Sequence, residues 1–184
     1  MNQSAPHIVL MGLRASGKST LAKLLSTLTN LPRTDLDHET LALLNQPSTS
    51  SAWATLGQAA FRDAESTALS NTLFLPTRVI ALGGGTPTSP PAEQLLREAR
   101  RARHALLVYL RYPADTLRAR LASDPDQLAD RPAIHGASPL DEIPTLLAQR
   151  DPLYTDLAEL ILDSPEDAHA AARTILDRHR AMTP

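Results

Sequence analysis

At 184 residues, with 42% hydrophobic and 21% charged positions, the chain has the length and balance of one globular domain spanning 1–184. A net charge of −2 argues against general attraction to nucleic acid, and the lack of cysteine excludes disulfides, thiolate metal sites and cysteine nucleophiles. No apolar run reaches the ~18 residues of a membrane span, and the first is too short for a signal peptide, so a cytoplasmic protein is expected.

In chain order, the runs 8–11, 79–82 and 106–110 are continuously apolar, the pattern of strands buried on both faces, and 160–162 is a weaker fourth. Amphipathic stretches at 18–29, 58–70, 92–103, 114–122 and 165–180 lie between and after them. A further strand is placed at 33–36, despite poor strand chemistry, because two acids follow a Pro-marked turn. The polar stretch 48–51 reads as a loop, and 123–138, with two Pro and three Asp, as a long one with the character of a lid. The last helix is marked by Ser164 as N-cap with Pro165 at its first position. Alternating strands and helices predict a layered α/β fold around a mainly parallel sheet.

The residues Gly12-Leu13-Arg14-Ala15-Ser16-Gly17-Lys18-Ser19 fit G-x-x-x-x-G-K-[ST], between a predicted strand and a predicted helix. Glycines let the backbone wrap a phosphate, successive N–H groups point inward, and the helix adds its positive N-terminal dipole. Lys18 would bridge phosphate oxygens during transfer, and Ser19 would ligate Mg²⁺. ATP-type nucleotide binding is the expectation.

Other features carry two readings each. Asp35 and Asp37, two apart on an extended backbone, would face one pocket; the plainer alternative is a helix cap, with Asp37 capping 38–40. Arg62 and Glu65 share a helix face, as a surface ion pair or as a carboxylate grip with its orienting acid. Gly83-Gly84-Gly85 follow a strand, where ligands of open α/β sheets bind, and remove every side chain from the spot. Arg131 sits in the long loop, either exposed or as a lid arginine over the phosphates. Arg150 stands before Pro152, where it would satisfy terminal carbonyls of a helix or clamp an acidic substrate.

In their order and spacing, Gly12 to Thr20, Asp35-Leu36-Asp37, Gly57 to Glu65, Gly83 to Gly85, Arg131-Pro132 and Arg150 to Tyr154 resemble the shikimate kinase family over nearly the whole chain. The resemblance implies a three-layer α/β/α P-loop kinase fold with a five-stranded mainly parallel sheet, a substrate-binding segment near 37–66 and a mobile lid near 121–139. It implies transfer of the γ-phosphate of ATP, with Mg²⁺, to the 3-hydroxyl of shikimate in aromatic amino-acid biosynthesis. Carried over by matching position, Lys18, Asp37 and Arg131 are catalytic, with Asp37 the base. Gly12, Ala15, Ser16, Gly17, Lys18, Ser19, Thr20, Arg120 and Arg131 bind the nucleotide, Arg120 near the adenine. Ser19 and Asp35 serve the metal. Asp37, Arg62, Glu65, Gly83, Gly84, Gly85 and Arg150 bind shikimate. The implied partners are the two small molecules alone, with no nucleic acid and no membrane, and the protein is expected to act as a monomer.

Some positions depart from the family pattern. Ala15 stands where Gly or Ser is usual and would be strained at positive φ; Arg33 opens the second strand, Gln58 replaces a Glu, Trp53 replaces a Phe on the pocket wall, and Arg131-Pro132 are followed by Ala133-Ile134. Two rivals stay in view: another small P-loop kinase such as a gluconate kinase, and a ligand-sensing domain without catalysis. The paired Arg62 and Arg150 weigh against the first. Retention of Lys18, Asp37 and the arginines weighs against the second, as does the short lead before the first strand, which leaves no room for a DNA-binding module.

Overall fold

The computed structural model describes residues 5–124 and 138–183. The expectations for Arg131 and most of the lid fall outside them. The elements in order are β1 (His7–Met11), α1 (Lys18–Thr29), β2 (Arg33–Asp35), α2 (Leu36–Leu44), α3 (Thr49–Leu73), β3 (Val79–Ala81), a 3₁₀ turn (Thr86–Thr88), α4 (Pro90–Arg101), β4 (Ala105–Arg111), α5 (Ala114–Ala122), α6 (Ile143–Leu157), β5 (Leu160–Asp163) and α7 (Ala168–Met182).

The five strands form one parallel sheet in the order β2-β3-β1-β4-β5. Strand β1 is flanked on both sides, with Ile8 opposite Val79 of β3 and Leu106 of β4. Its five residues are all buried, which explains the unbroken apolar run. After β1 the chain crosses to the edge to form β2, comes back in to place β3 between β2 and β1, then adds β4 and β5 on the other side, so a crevice opens at the carboxyl ends where the chain changes sides. The loops that carry the glycines leave the sheet there.

The edge strand β2 is three residues long, and its polar sequence is tolerated because only Thr34 faces inward. Pairing with β3, Thr34 opposite Ile80, holds it, helped by Arg78 Nη1 donating to Thr34 Oγ1 at 3.2 Å. In β1 the polar residue His7 is buried as well. His7 meets the edge of His104 at 4.8 Å, and its Nε2 sits 3.3 Å from the Leu73 carbonyl. Burial, reinforced by the neighbouring His104, pushes the His7 pKa down to about 4, so the ring is neutral at physiological pH.

Several boundaries differ from the sequence expectation, each for a local reason. Helix α2 fills a stretch read as following a longer strand, because Asp35 caps it and accepts from the N–H of Asp37 at 3.2 Å. The polar stretch 48–51 is a cap as well: Ser48 Oγ accepts from Ser51 N at 3.1 Å, and Ser51 Oγ donates to Gln46 Oε1 at 2.7 Å. Helix α3 therefore starts at Thr49 and is interrupted at Gly57, whose φ of 82° and ψ of 162° break the helix. Arg150 lies within α6 rather than at a helix end, since α6 runs on through Pro152 to Leu157. The last helix is capped by Asp167, which accepts from His169 N and Ala170 N, and not by Ser164. Among the described residues no helix is long and apolar enough to cross a membrane.

Candidate active site

The loop between β1 and α1 has three residues at positive φ: Gly12 at 151°, Ala15 at 61° and Gly17 at 86°. Ala15 thus takes the left-handed conformation, which costs an alanine roughly 1 kcal/mol and a glycine little. A Cβ on Gly12 would stand 2.8 Å from the Leu110 carbonyl, so β4 forbids any side chain there. Lys18 is held inside the loop it serves: its ammonium donates to the carbonyls of Gly12 at 3.0 Å and Leu13 at 2.8 Å. Loop residues Ala15, Ser16, Gly17, Lys18, Ser19 and Thr20 all line a cleft of about 580 Å³.

Ser19 Oγ donates to Asp35 Oδ2 at 3.0 Å, which ties the loop to the cap of α2. A hydroxyl and a carboxylate side by side are hard oxygen donors of the kind Mg²⁺ prefers. Among the described residues no cluster of three or more His, Asp or Glu side chains is gathered for a metal. Farther along the cleft the Arg120 guanidinium stacks on the Tyr112 ring, 4.1 Å from its centroid. Tyr112 in turn donates to the Pro165 carbonyl at 2.6 Å, so a flat cationic surface is fixed at the cleft wall.

A second, smaller cavity lies beside the first. Trp53, Phe61, Arg62, Glu65, Gly84 and Arg150 contribute to its wall, and Asp37, Gly84 and Arg14 line both spaces. Asp37 reaches the junction from the first turn of α2 rather than by strand alternation, so the extended-backbone argument gave the right neighbour by the wrong geometry. The two readings of the acids divide between them: Asp35 is the cap, and Asp37 is left to face the cavities.

Glu65 is 1% exposed and makes two contacts, an ion pair from Oε2 to Arg62 and a 2.7 Å hydrogen bond from Thr86 Oγ1 to Oε1. It thereby fixes the Arg62 guanidinium, whose cationic group also sits 5.9 Å from the Trp53 ring centre. The glycine triplet explains itself by what a Cβ would strike. At Gly83 it would stand 2.5 Å from both Asp37 Oδ1 and Glu65 Oε1; at Gly84 it would press on the Arg14 backbone; at Gly85 it would enter the Arg62 guanidinium. Gly84 and Gly85 form the wall, whereas Gly83 packs beneath the carboxylates.

Arg150 Nη1 and Tyr154 Oη both donate to the Gly84 carbonyl, at 2.7 and 2.5 Å. Burial lowers the Arg150 pKa, the Tyr154 phenol opposes the shift, and the like charge of Arg62 adds to it. Two guanidiniums thus repel across one pocket, a strain that a bound anion would relieve. Tyr154 is pushed up to about 12 by burial and stays a neutral donor.

All the described candidates named from sequence fall on these two cavities or directly behind their walls. Sequence reasoning missed Arg14, whose only signal was a charged residue in a variable place of the phosphate loop. It also gave no role to Tyr154, which braces the Gly84 carbonyl, or to Thr49.

The shikimate kinase family model matches residues 14–180. A shikimate kinase of Rhodopirellula baltica is 38% identical over 161 residues, covering 86% of this chain and 81% of that protein. Shikimate kinase 2 of Yersinia enterocolitica is 34% identical over 92% of both. The solved structure of Acinetobacter baumannii shikimate kinase in complex with shikimate matches with a TM-score of 0.83 at 26% identity, covering 96% of this chain and 93% of that one. A Sinorhizobium meliloti gluconokinase shares the fold alone, with a TM-score of 0.58 at 15% identity. With its phosphate loop, its cavity between two arginines and these likenesses together, the chain belongs to the shikimate kinase family.

Proposed function

We propose that the chain is an ATP-dependent shikimate kinase, working as a monomer in the cytoplasm, with every catalytic group supplied by one chain. The observation that carries the reading is the position of Asp37, at the junction between the phosphate cleft and a cavity that holds two guanidiniums. An acid with a hydroxyl at the far end would place its carboxylate on Arg62 and Arg150 and its hydroxyl on Asp37.

In this reading Asp37 accepts the hydroxyl proton as the new O–P bond forms and the bond to the leaving diphosphate breaks. ATP supplies the transferred phosphoryl group. Lys18 leaves the Gly12 and Leu13 carbonyls to neutralise charge on the phosphate oxygens, and the loop N–H groups and α1 dipole hold the rest. Ser19 and Asp35 are the residues that would hold Mg²⁺, whose charge would screen the phosphates. Glu65 and Thr86 keep Arg62 in place, while Arg120 and Tyr112 present a stacking surface for the base. The segment 37–66 provides one side of the acceptor pocket. Trp53 and Phe61, packed edge to face, give that pocket aromatic walls suited to a ring, which favours shikimate over an open-chain acid.

The test is ADP release from ATP and Mg²⁺ with shikimate, gluconate or no acceptor. Release that depends on shikimate supports the reading. Release with gluconate alone keeps the kinase and overturns the acceptor.

A further inference from the structure

Several threonines in these helices satisfy their hydroxyls locally. Thr27, Thr40, Thr55, Thr67 and Thr174 each donate to the carbonyl four residues back. Thr49 opens α3, so no helical carbonyl lies behind it, and its neighbour Ser48 already provides the cap. Thr49 is only 3% exposed, and its Oγ1 is buried without a hydrogen-bond partner among the described residues. One turn on, Trp53 Nε1 is buried in the same condition, although the ring itself packs edge-on against Phe61. Both side chains line the acceptor cavity with Asp37, Arg62 and Arg150.

Two stranded polar atoms on one face of one helix are costly, and Val and Phe would fill similar volumes without the cost. A ligand oxygen removes it. The indole N–H can only donate, whereas the threonine hydroxyl can donate or accept. An alcohol oxygen fits both, accepting from Trp53 and donating to Thr49. The carboxylate is already served by the arginines.

We propose that Thr49 and Trp53 form a hydroxyl-reading wall of the acceptor pocket and set specificity by recognising an alcohol oxygen of the acceptor. The proposal rests on the kinase reading above. It is tested in the full chain with Thr49→Val and Trp53→Phe, at saturating ATP. The acceptor is shikimate or gluconate, whichever the parent phosphorylates; the parent's own failure with shikimate rejects the substrate reading separately. Each variant is expected to raise the acceptor KM about 3- to 10-fold, with kcat within about twofold. The KM for ATP should not move, and Tm should hold or rise. With an acceptor analogue lacking the recognised hydroxyl, parent and variants should become equal. An unchanged acceptor KM in both variants would overturn the proposal, the oxygen there being water. A joint fall of kcat, Tm and acceptor affinity would overturn it too, by showing a packing role.

Discussion

The two compartments of the site are built from different materials. The phosphate end of the larger cleft is one continuous loop of backbone running into α1, within an open space of about 580 Å³ whose farther wall includes Tyr112, Arg120 and Pro165. The acceptor cavity is made of side chains from α2, α3 and α6 and the glycine turn after β3, and it is tight, at about 20 Å³. A backbone site needs a local motif and can be read from eight consecutive residues. A side-chain site needs the fold, because its parts lie more than a hundred residues apart. Its precision comes from mutual pinning: Glu65 holds Arg62, Thr86 holds Glu65, and Gly84 receives both Arg150 and Tyr154.

This difference can be broken at chosen points. Lys18→Met should have the largest effect, a loss of about 10³-fold in kcat, since the proposed mechanism relies on its ammonium to neutralise charge on the transferring group. Circular dichroism should show the fold intact, and steady-state kinetics with appreciable remaining turnover would contradict the cleft's role. Arg150→Ala should act on the acceptor compartment alone, raising the acceptor KM roughly 10- to 100-fold while the KM for ATP stays put. A shift in ATP affinity alone would mean that the two compartments are not separable in this way. Gly85→Ala should be milder, about 10-fold in acceptor KM, because the added Cβ displaces the Arg62 guanidinium without removing its charge. The double variant Gly85→Ala with Arg62→Ala should then be no worse than Arg62→Ala alone, as a double-mutant cycle would read.

How much of this was legible follows the same division. The apolar runs of β1, β3 and β4 and the phosphate loop are local and were placed within a residue or two. Helix α2 was offered only as an alternative capped by Asp37, because two carboxylates two residues apart read equally well as a pocket; its cap is Asp35. The start of α3 was hidden because four polar residues in a row look like a loop until Ser48 is seen to cap. Arg150 was placed at a helix end on the strength of Pro152, but α6 continues through that proline. The proposed acceptor residues were named from their family spacing, not their chemistry. Local chemistry left both an ion pair and a carboxylate grip open for Arg62 and Glu65, and the structure contains the pair as part of the pocket. Thr49 carries no sequence signal at all: its meaning depends on lacking a partner, which only packing can show.

The most direct test of the central claim, that Asp37 joins the two compartments, is the shikimate-dependent turnover of Asp37→Asn measured beside its ATP affinity. Loss of the base should lower kcat about 10²- to 10³-fold and leave ATP binding within about twofold. Equal loss of turnover and ATP binding, or loss of thermal stability with both, would show that Asp37 serves only the architecture of α2, and the account of the site would fail.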